Sequence, residues 1–275
     1  MTEGFRYPLA GKELPLIGAV LALLLAATAL YVLWLPDVRE YKKKNPSETA
    51  FMRLKERQAS AQGRKPARRM VWKPWAEISE NLKHAVLVSE DDGFYRHKGV
   101  EWDSLKKAAA ENLEKRRFAK GGSTITQQLA RNLYLSPSKN PLRKLKEILI
   151  ARRLEKELGK RRIFELYLNV AEWGKGIYGA EAAAQAYFAK SAADLTPEEA
   201  AALAAALPSP RRYNPVGGTR FMERRKSSIV ARMRASGYLP DEAGDDEALQ
   251  DSFDIISSTE VAVSTPAAPG DDQTQ

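Results

Sequence analysis

Glu90 opens the segment Ser89-Glu90-Asp91-Asp92-Gly93-Phe94-Tyr95-Arg96-His97-Lys98-Gly99. Leu82, Val86 and Glu90 recur every four residues, so the glutamate extends the apolar stripe of a helix. A carboxyl group placed there loses water, and desolvation raises its pKa toward the range of a general base or acid. A polar cluster that simply ends the helix, with Gly93 as the stop, is the plainer alternative. A second segment, Lys120-Gly121-Gly122-Ser123-Thr124-Ile125-Thr126-Gln127-Gln128, sets two glycines before hydroxyl residues at a helix start. Backbone N–H groups left free there suit an anion or an oxyanion, although the spacing differs from the phosphate loop GxxxxGK[ST]. Ser123 as a simple N-cap is the structural alternative; Gln127 and Gln128 can hydrogen-bond sugar or amide groups. Further on, ten basic residues stand between positions 139 and 162 against Glu147, Glu155 and Glu157. Lys139 and Arg143, with Arg131 before them, can face one phosphate or diphosphate, which guanidinium forks match well. Arg143 and Glu147 are equally an ordinary i,i+4 pair on a solvated helix. Glu165 interrupts the mostly apolar stretch 160–169, and a buried carboxylate there needs a cation or a substrate hydroxyl as partner.

The elements that must position these groups are helical. Periodicity predicts helices over 79–90, 103–117, 124–134, 141–158, 160–169, 178–189, 196–206 and 220–236, and no alternating run argues for a sheet. Asn140-Pro141 reads as an N-cap followed by proline at the first helical position, and Gly159 follows Leu158 as a stop signal. Thr196-Pro197-Glu198-Glu199 is a capping box opening an alanine-rich helix.

The chain of 275 residues has no cysteine and only two histidines, His84 and His97. Disulfides, thiolate zinc sites and cysteine nucleophiles are excluded, and a histidine-built metal site has too few ligands. Chemistry therefore rests on carboxylates, hydroxyls, amides and cations. Residues 241–275 hold ten acidic and no basic residues, so the net charge of +9 conceals +19 on residues 1–240. Such a field attracts polyanions: nucleic acid, anionic lipid or a phosphorylated substrate.

Residues 14–35 form a run of twenty-two without a charged side chain. A helix of that length rises about 33 Å, enough for a bilayer core of about 30 Å, and exceeds the apolar core of a cleaved signal. Tyr31 and Trp34 suit the interfacial belt. A short tail (1–13) thus precedes a membrane anchor (14–35). A basic juxtamembrane segment (36–72), a folded domain (73–240) and an acidic disordered tail (241–275) follow. Basic residues flank the span more densely on its C-terminal side, which by charge alone would leave the domain in the cytoplasm.

In order, EDDGFYRHKG (90–99), GGSTITQQ (121–128), RKLKE (143–147), KRRIFELYLN (160–169) and the stretch 179–215 resemble glycosyltransferase family 51, the peptidoglycan transglycosylases. The likeness covers about residues 75–215. YLNVAEWGKGIYGAEAAA (167–184) is similar to the monofunctional biosynthetic members of Gram-negative bacteria, and no space remains for a transpeptidase domain. The resemblance implies a mainly α, lysozyme-like domain of head and jaw lobes, the jaw drawn from residues 94–118, on one N-terminal transmembrane helix. The implied activity polymerises lipid II into β-1,4-linked glycan with inversion, releasing undecaprenyl diphosphate. The implied site has Glu90 as general base and Glu165 as a second acid that orients or binds. Arg131, Lys139 and Arg143 would meet the diphosphate, and Glu147 would anchor the cations. Ser123, Thr124, Gln127 and Gln128 would line the cleft, with Phe94 in a flexible region beside it. No cofactor is required, a divalent cation acting at most as a stimulant. The implied partners are lipid II, the growing glycan, membrane lipids and other cell-wall synthesis or division proteins, without nucleic acid. The implied location is the inner membrane, with the domain on the periplasmic side. A lytic enzyme of lysozyme-like fold needs no diphosphate-binding cations, and a membrane-tethered nucleic-acid-binding module needs stacking aromatics; these are the competing readings.

Overall fold

The structure, a computed structural model, describes residues 14–103, 106, 122–138 and 140–240, with side chains in the first helix from Ile17. The N-terminal tail, most of the expected helix 103–117 and so part of the expected jaw, Lys139 and the acidic tail lie outside the described residues. The chain divides into a large unit, residues 1–230, and a small one, residues 231–275. The architecture is mainly helical. In chain order the α-helices are α1 (Leu14–Leu33), α2 (Ala50–Ala61), α3 (Glu80–Glu90), α4 (Ile125–Tyr134) and α5 (Pro141–Glu157). They continue with α6 (Lys160–Val170), α7 (Ala180–Phe188), α8 (Pro197–Ala206) and α9 (Arg220–Ala235), the last of which straddles the division.

One expectation is corrected, and the segment 36–72 gains structure: Thr49 caps α2 through the Met52 N–H at 3.2 Å, Met52 is buried, and α2 packs on α4. A small sheet also forms, ordered β1-β3-β2 from β1 (Arg69–Met70), β2 (Glu172–Gly174) and β3 (Ile177–Tyr178). β1 runs parallel to β3, and β2 antiparallel. Strands of two or three residues are too short to show an alternating pattern. Gly176, at φ +75°, turns β2 into β3, and a Cβ there would run into the Ala67 carbonyl.

The start signals hold. Asn140 Oδ1 accepts from the Leu142 N–H at 2.8 Å with Pro141 at the first helical position, and Thr196 and Glu199 form their capping box. Gly159 serves as the N-cap of α6 rather than only as the stop of α5.

α3 packs against α8, whose run of buried alanines admits it closely, with Leu82, Ala85 and Val86 fully buried. Each large apolar side chain so buried contributes about 1.5–3 kcal/mol. α4 lies between α2, α5 and α6. The joint between α3 and α4 is polar. Buried Asp91, the C-cap of α3, accepts from the Ile125 N–H at 2.9 Å, one of the N–H groups that α4 cannot satisfy internally. His97 Nε2 lies 2.9 and 3.0 Å from the two Asp91 oxygens, while His97 Nδ1 accepts from the Gly99 N–H at 3.1 Å. That acceptor role places the ring proton on Nε2, aimed at the carboxylate. Thr124 Oγ1 completes the joint by donating to the Gly99 carbonyl at 2.7 Å. Gly99 itself, at φ +87°, sits so close to α5 that a Cβ would come within 3.2 Å of the Ala151 oxygen.

Asp91→Asn is expected to lower stability by about 1–3 kcal/mol in urea denaturation, because its N–H₂ must face either the Ile125 N–H or the His97 Nε2–H. An unchanged midpoint would show that this joint carries no weight.

Candidate active site

The polar joint sets α4 so that Gln128, one turn in, reaches back to the end of α3. Gln128 Nε2 donates to Glu90 Oε2 at 2.8 Å, and the Tyr167 hydroxyl of α6 donates to Gln128 Oε1 at 3.2 Å. Glu90 keeps a partial opening to solvent but is surrounded by protein on most sides. Burial pushes its pKa above the ordinary carboxylate value, opposed by the Gln128 hydrogen bond and by the Arg225 and Arg131 charges. Tyr167 is buried, and burial raises its pKa well above the usual phenol value, so it stays protonated and able to donate.

Gln128 and Tyr167 also line a cleft of about 350 Å³, together with Arg131, Asn132, Arg143 and Glu172. Phe51 of α2 and Pro208 and Pro210 after α8 close its rim. Glu90 does not itself line this cleft but stands one hydrogen bond behind its wall. Glu172 is neutralised within by Arg211, whose Nη2 and Nε donate at 2.8 and 3.0 Å.

Glu147 has 0% exposure and is held by Arg143 Nη1 and Lys144 Nζ, each at 2.5 Å. Lys144 Nζ also donates to Ser123 Oγ at 3.0 Å and to Gln127 Oε1 at 3.4 Å, so its three protons face three oxygens. Two cations around one buried carboxylate leave a net positive charge beside the cleft. Removing the carboxylate would leave both unpaired, a change that costs about 3–5 kcal/mol in buried pairs.

The structure thus brings Glu90, Gln128, Arg131 and Arg143 together, with Glu147 supporting Arg143. Other expected residues have different employment. Phe94 is not a flexible cleft residue: it has 0% exposure, packs at 5.4 Å from the Phe164 ring and lies beneath Lys160 Nζ at 4.4 Å. Thr124 and Gln127 are occupied in the capping box of α4, and Gln127 Nε2 is buried without a hydrogen-bond partner among the described residues. Ser123 turns toward Lys144. Glu165 pairs with Arg162 at 3.2 Å and is not among the residues lining this cleft, because on α6 it stands two positions, and so more than half a turn, from Tyr167. Lys139 lies outside the described residues.

Sequence reasoning missed Tyr167, Lys144, Phe51 and Arg225. Tyr167 was legible in part, since a tyrosine in an apolar stripe needs a hydrogen-bond partner once buried. Arg225 comes from α9, and nothing in its local sequence points at Glu90.

With this geometry in place, comparison with known proteins identifies the class. The family model described as Transglycosylase matches residues 56–234, more than half of the chain, which therefore belongs to that family. A biosynthetic peptidoglycan transglycosylase of Janthinobacterium sp. (strain Marseille) is 48% identical over 192 residues, covering 70% of this chain and 83% of the relative. One from Azoarcus sp. (strain BH72) is 48% identical over 204 residues, covering 72% and 87%. One from Chromobacterium violaceum is 44% identical over 222 residues, covering 80% and 97%.

A pKa raised in the folded state means that the native protein holds the Glu90 proton more tightly than the unfolded chain, so stability falls as pH climbs from the unfolded value through the raised one. Glu90→Gln is therefore expected to melt higher than the parent near about pH 8 and to converge with it near about pH 4, as read by thermal unfolding. Tyr167→Phe removes the donor that orients the Gln128 amide. The acid limb of its pH–rate profile should move to higher pH with a several-fold loss of turnover; an unmoved limb would separate Tyr167 from the base.

Proposed function

We infer that this transglycosylase is a peptidoglycan glycosyltransferase that extends glycan strands from lipid II at the bacterial cell envelope. The observation that carries the reading is a carboxylate of raised pKa, hydrogen-bonded through Gln128 to a cleft lined by Arg131 and Arg143. A glutamate whose pKa is raised accepts a proton more readily than an ordinary carboxylate. Glu90 takes the proton of the acceptor sugar's 4-hydroxyl, and that oxygen attacks the anomeric carbon of the donor with inversion. The bond to undecaprenyl diphosphate breaks, its electron pair leaving with the phosphate oxygen. Arg131 and Arg143, with Lys139, meet the charge that develops there, and fixed cations need no reorganisation at the moment of reaction. Glu147 holds Arg143 in place. Glu165, paired with Arg162, has no step in this scheme, and no cofactor enters it.

A lipid-linked substrate also gives the apolar run 14–35 a purpose, since confinement of enzyme and substrate to one bilayer raises their encounter frequency. Residues 17–33, the stretch of α1 with described side chains, rise about 25 Å, short of a core of about 30 Å. No helix among the described residues is long and apolar enough to cross a membrane. The anchor, with the domain on its periplasmic side, is therefore proposed on the full sequence run. Support comes from Leu21, Leu23, Leu24, Leu25 and Leu30, which are all exposed on a helix without a polar face.

Purified protein given lipid II should form polymer, and Glu90→Gln should lose at least about 100-fold in rate while folding normally, the magnitude of losing a general base. Arg131→Ala should lower turnover with the fold intact. Polymerisation by Glu90→Gln at the parental rate would remove Glu90 as the base. Release of sugars from intact sacculi without polymer formation would favour a lytic enzyme.

A further inference from the structure

Outside the cleft, a group of exposed cations lies where the apolar run ends. Lys146 Nζ of α5 donates to the Tyr31 carbonyl at 2.8 Å and stands 4.2 Å above the Tyr31 ring. Two turns further along α5, Arg153 Nη1 donates to the Leu35 carbonyl at 3.4 Å. These cations satisfy carbonyls that the end of α1 leaves open and suit the negative end of its dipole. They also fix depth: wherever the apolar run leaves hydrocarbon, this face of α5 is beside it.

A basin of about 910 Å³ opens at that level, bounded by Leu35, by residues 95–98 and by residues 152–160. A second hollow of about 480 Å³ adjoins it, sharing Arg96, His97, Lys98 and Arg152 and reaching Glu101, Trp102 and Asp103, of which Asp103 lies 3.9 Å from Lys106. The acids within the basin are already matched: Glu155 to Lys160 at 2.7 Å, and Glu157 to Lys42 at 2.9 Å. Arg96, Lys98 and Arg152 are exposed and form no close ion pair among the described residues, and exposed Lys156 acts on Glu157 only through its field. Around them Trp34, Tyr95 and Trp102 are 75%, 56% and 55% exposed, aromatic rings of the kind that settle at a membrane–water interface. None of the residues lining the basin lines the cleft.

We propose that this basin seats the phosphate head group of an anionic phospholipid of the bilayer in which α1 is anchored. The proposal rests on the reading of α1 as that anchor. Four exposed cations, none in a close ion pair among the described residues, adjoining the end of an apolar helix and rimmed by exposed aromatics, match a ligand with negative charge at one end and hydrocarbon at the other. A free phosphate would use the cations but not the aromatics or the depth. Juxtamembrane cations are attracted to anionic leaflets in this manner, within about a Debye length of the surface.

The test uses the full chain in phosphatidylcholine vesicles carrying a trace of spin-labelled phosphatidylglycerol or, separately, spin-labelled phosphatidylcholine. The wild type should restrain the anionic label several-fold more than the neutral one. The Arg96→Gln, Lys98→Gln, Arg152→Gln, Lys156→Gln combination should reduce that preference to near unity, while Arg96→Lys with Arg152→Lys retains it. Thermal melting confirms that each variant is folded. Equal preference in the wild type and the fourfold variant overturns the proposal. Displacement of the anionic label by millimolar inorganic phosphate overturns the lipid as its source. A salt-sensitive shift of duplex DNA without lipid preference reassigns the basin to nucleic acid. Failure to co-float with pure phosphatidylcholine vesicles would overturn the anchor itself, whereas co-flotation without head-group preference would overturn only the basin.

Discussion

The arrangement of this domain depends on the carboxylate of Asp91, which holds two helices at one point. It ends α3 and receives the first N–H of α4, so the segment carrying Glu90 and the segment carrying Gln128 share one charged atom group. His97 braces the carboxylate from the other side, and Gly99 braces His97. A buried carboxylate is tolerated there because the Ile125 N–H and the His97 ring both donate to it. The geometric consequence is that the Gln128 amide falls within hydrogen-bond reach of Glu90 without any contact made by the substrate. A carboxylate held in this way loses no free energy to reorientation when a ligand arrives.

Two carboxylates in this region illustrate how environment divides labour. Glu147 is fully buried yet wrapped by Arg143 and Lys144, so it serves as a counter-charge that holds cations in place. Glu90 is less completely enclosed but receives, among the described residues, one side-chain hydrogen bond, from a neutral amide. Its nearest cations, Arg131 and Arg225, act at a distance through the electrostatic field, and burial outweighs them. The same residue type thereby clamps two cations in one place and, with its pKa raised by burial, is a stronger proton acceptor in another.

The basic character of the body likewise separates into distinct uses. Some cations are spent internally, as Lys144 on Glu147 and Arg211 on Glu172. Others cap carbonyls at the end of α1, as Lys146 and Arg153 do. Arg131 and Arg143 line the cleft, while the group around Arg152 and Lys156 is left facing solvent. Net charge alone could not distinguish these fates, because it records how many cations there are and not which acids stand beside them.

The sequence by itself determined the helical character and most helix limits, and singled out Glu90 as a carboxylate on an apolar helix stripe. Apolar spacing and capping residues such as Asn140 and Thr196 are local signals, and local signals survive without the fold. It also placed Arg131, Arg143 and Gln128 near one another in function through ordered motifs. The tertiary structure decided what local pattern cannot encode: that Phe94 is core, that Thr124 and Gln127 cap a helix, and that Glu165 faces Arg162 rather than the cleft lining. It brought Tyr167, Phe51 and Arg225 to the site from three separate helices, and made a small sheet of strands too short to alternate. The physical reason is range. A helix is settled by neighbours three or four residues apart, whereas burial, pairing and the pKa of Glu90 are settled by groups that only packing brings within a few ångströms.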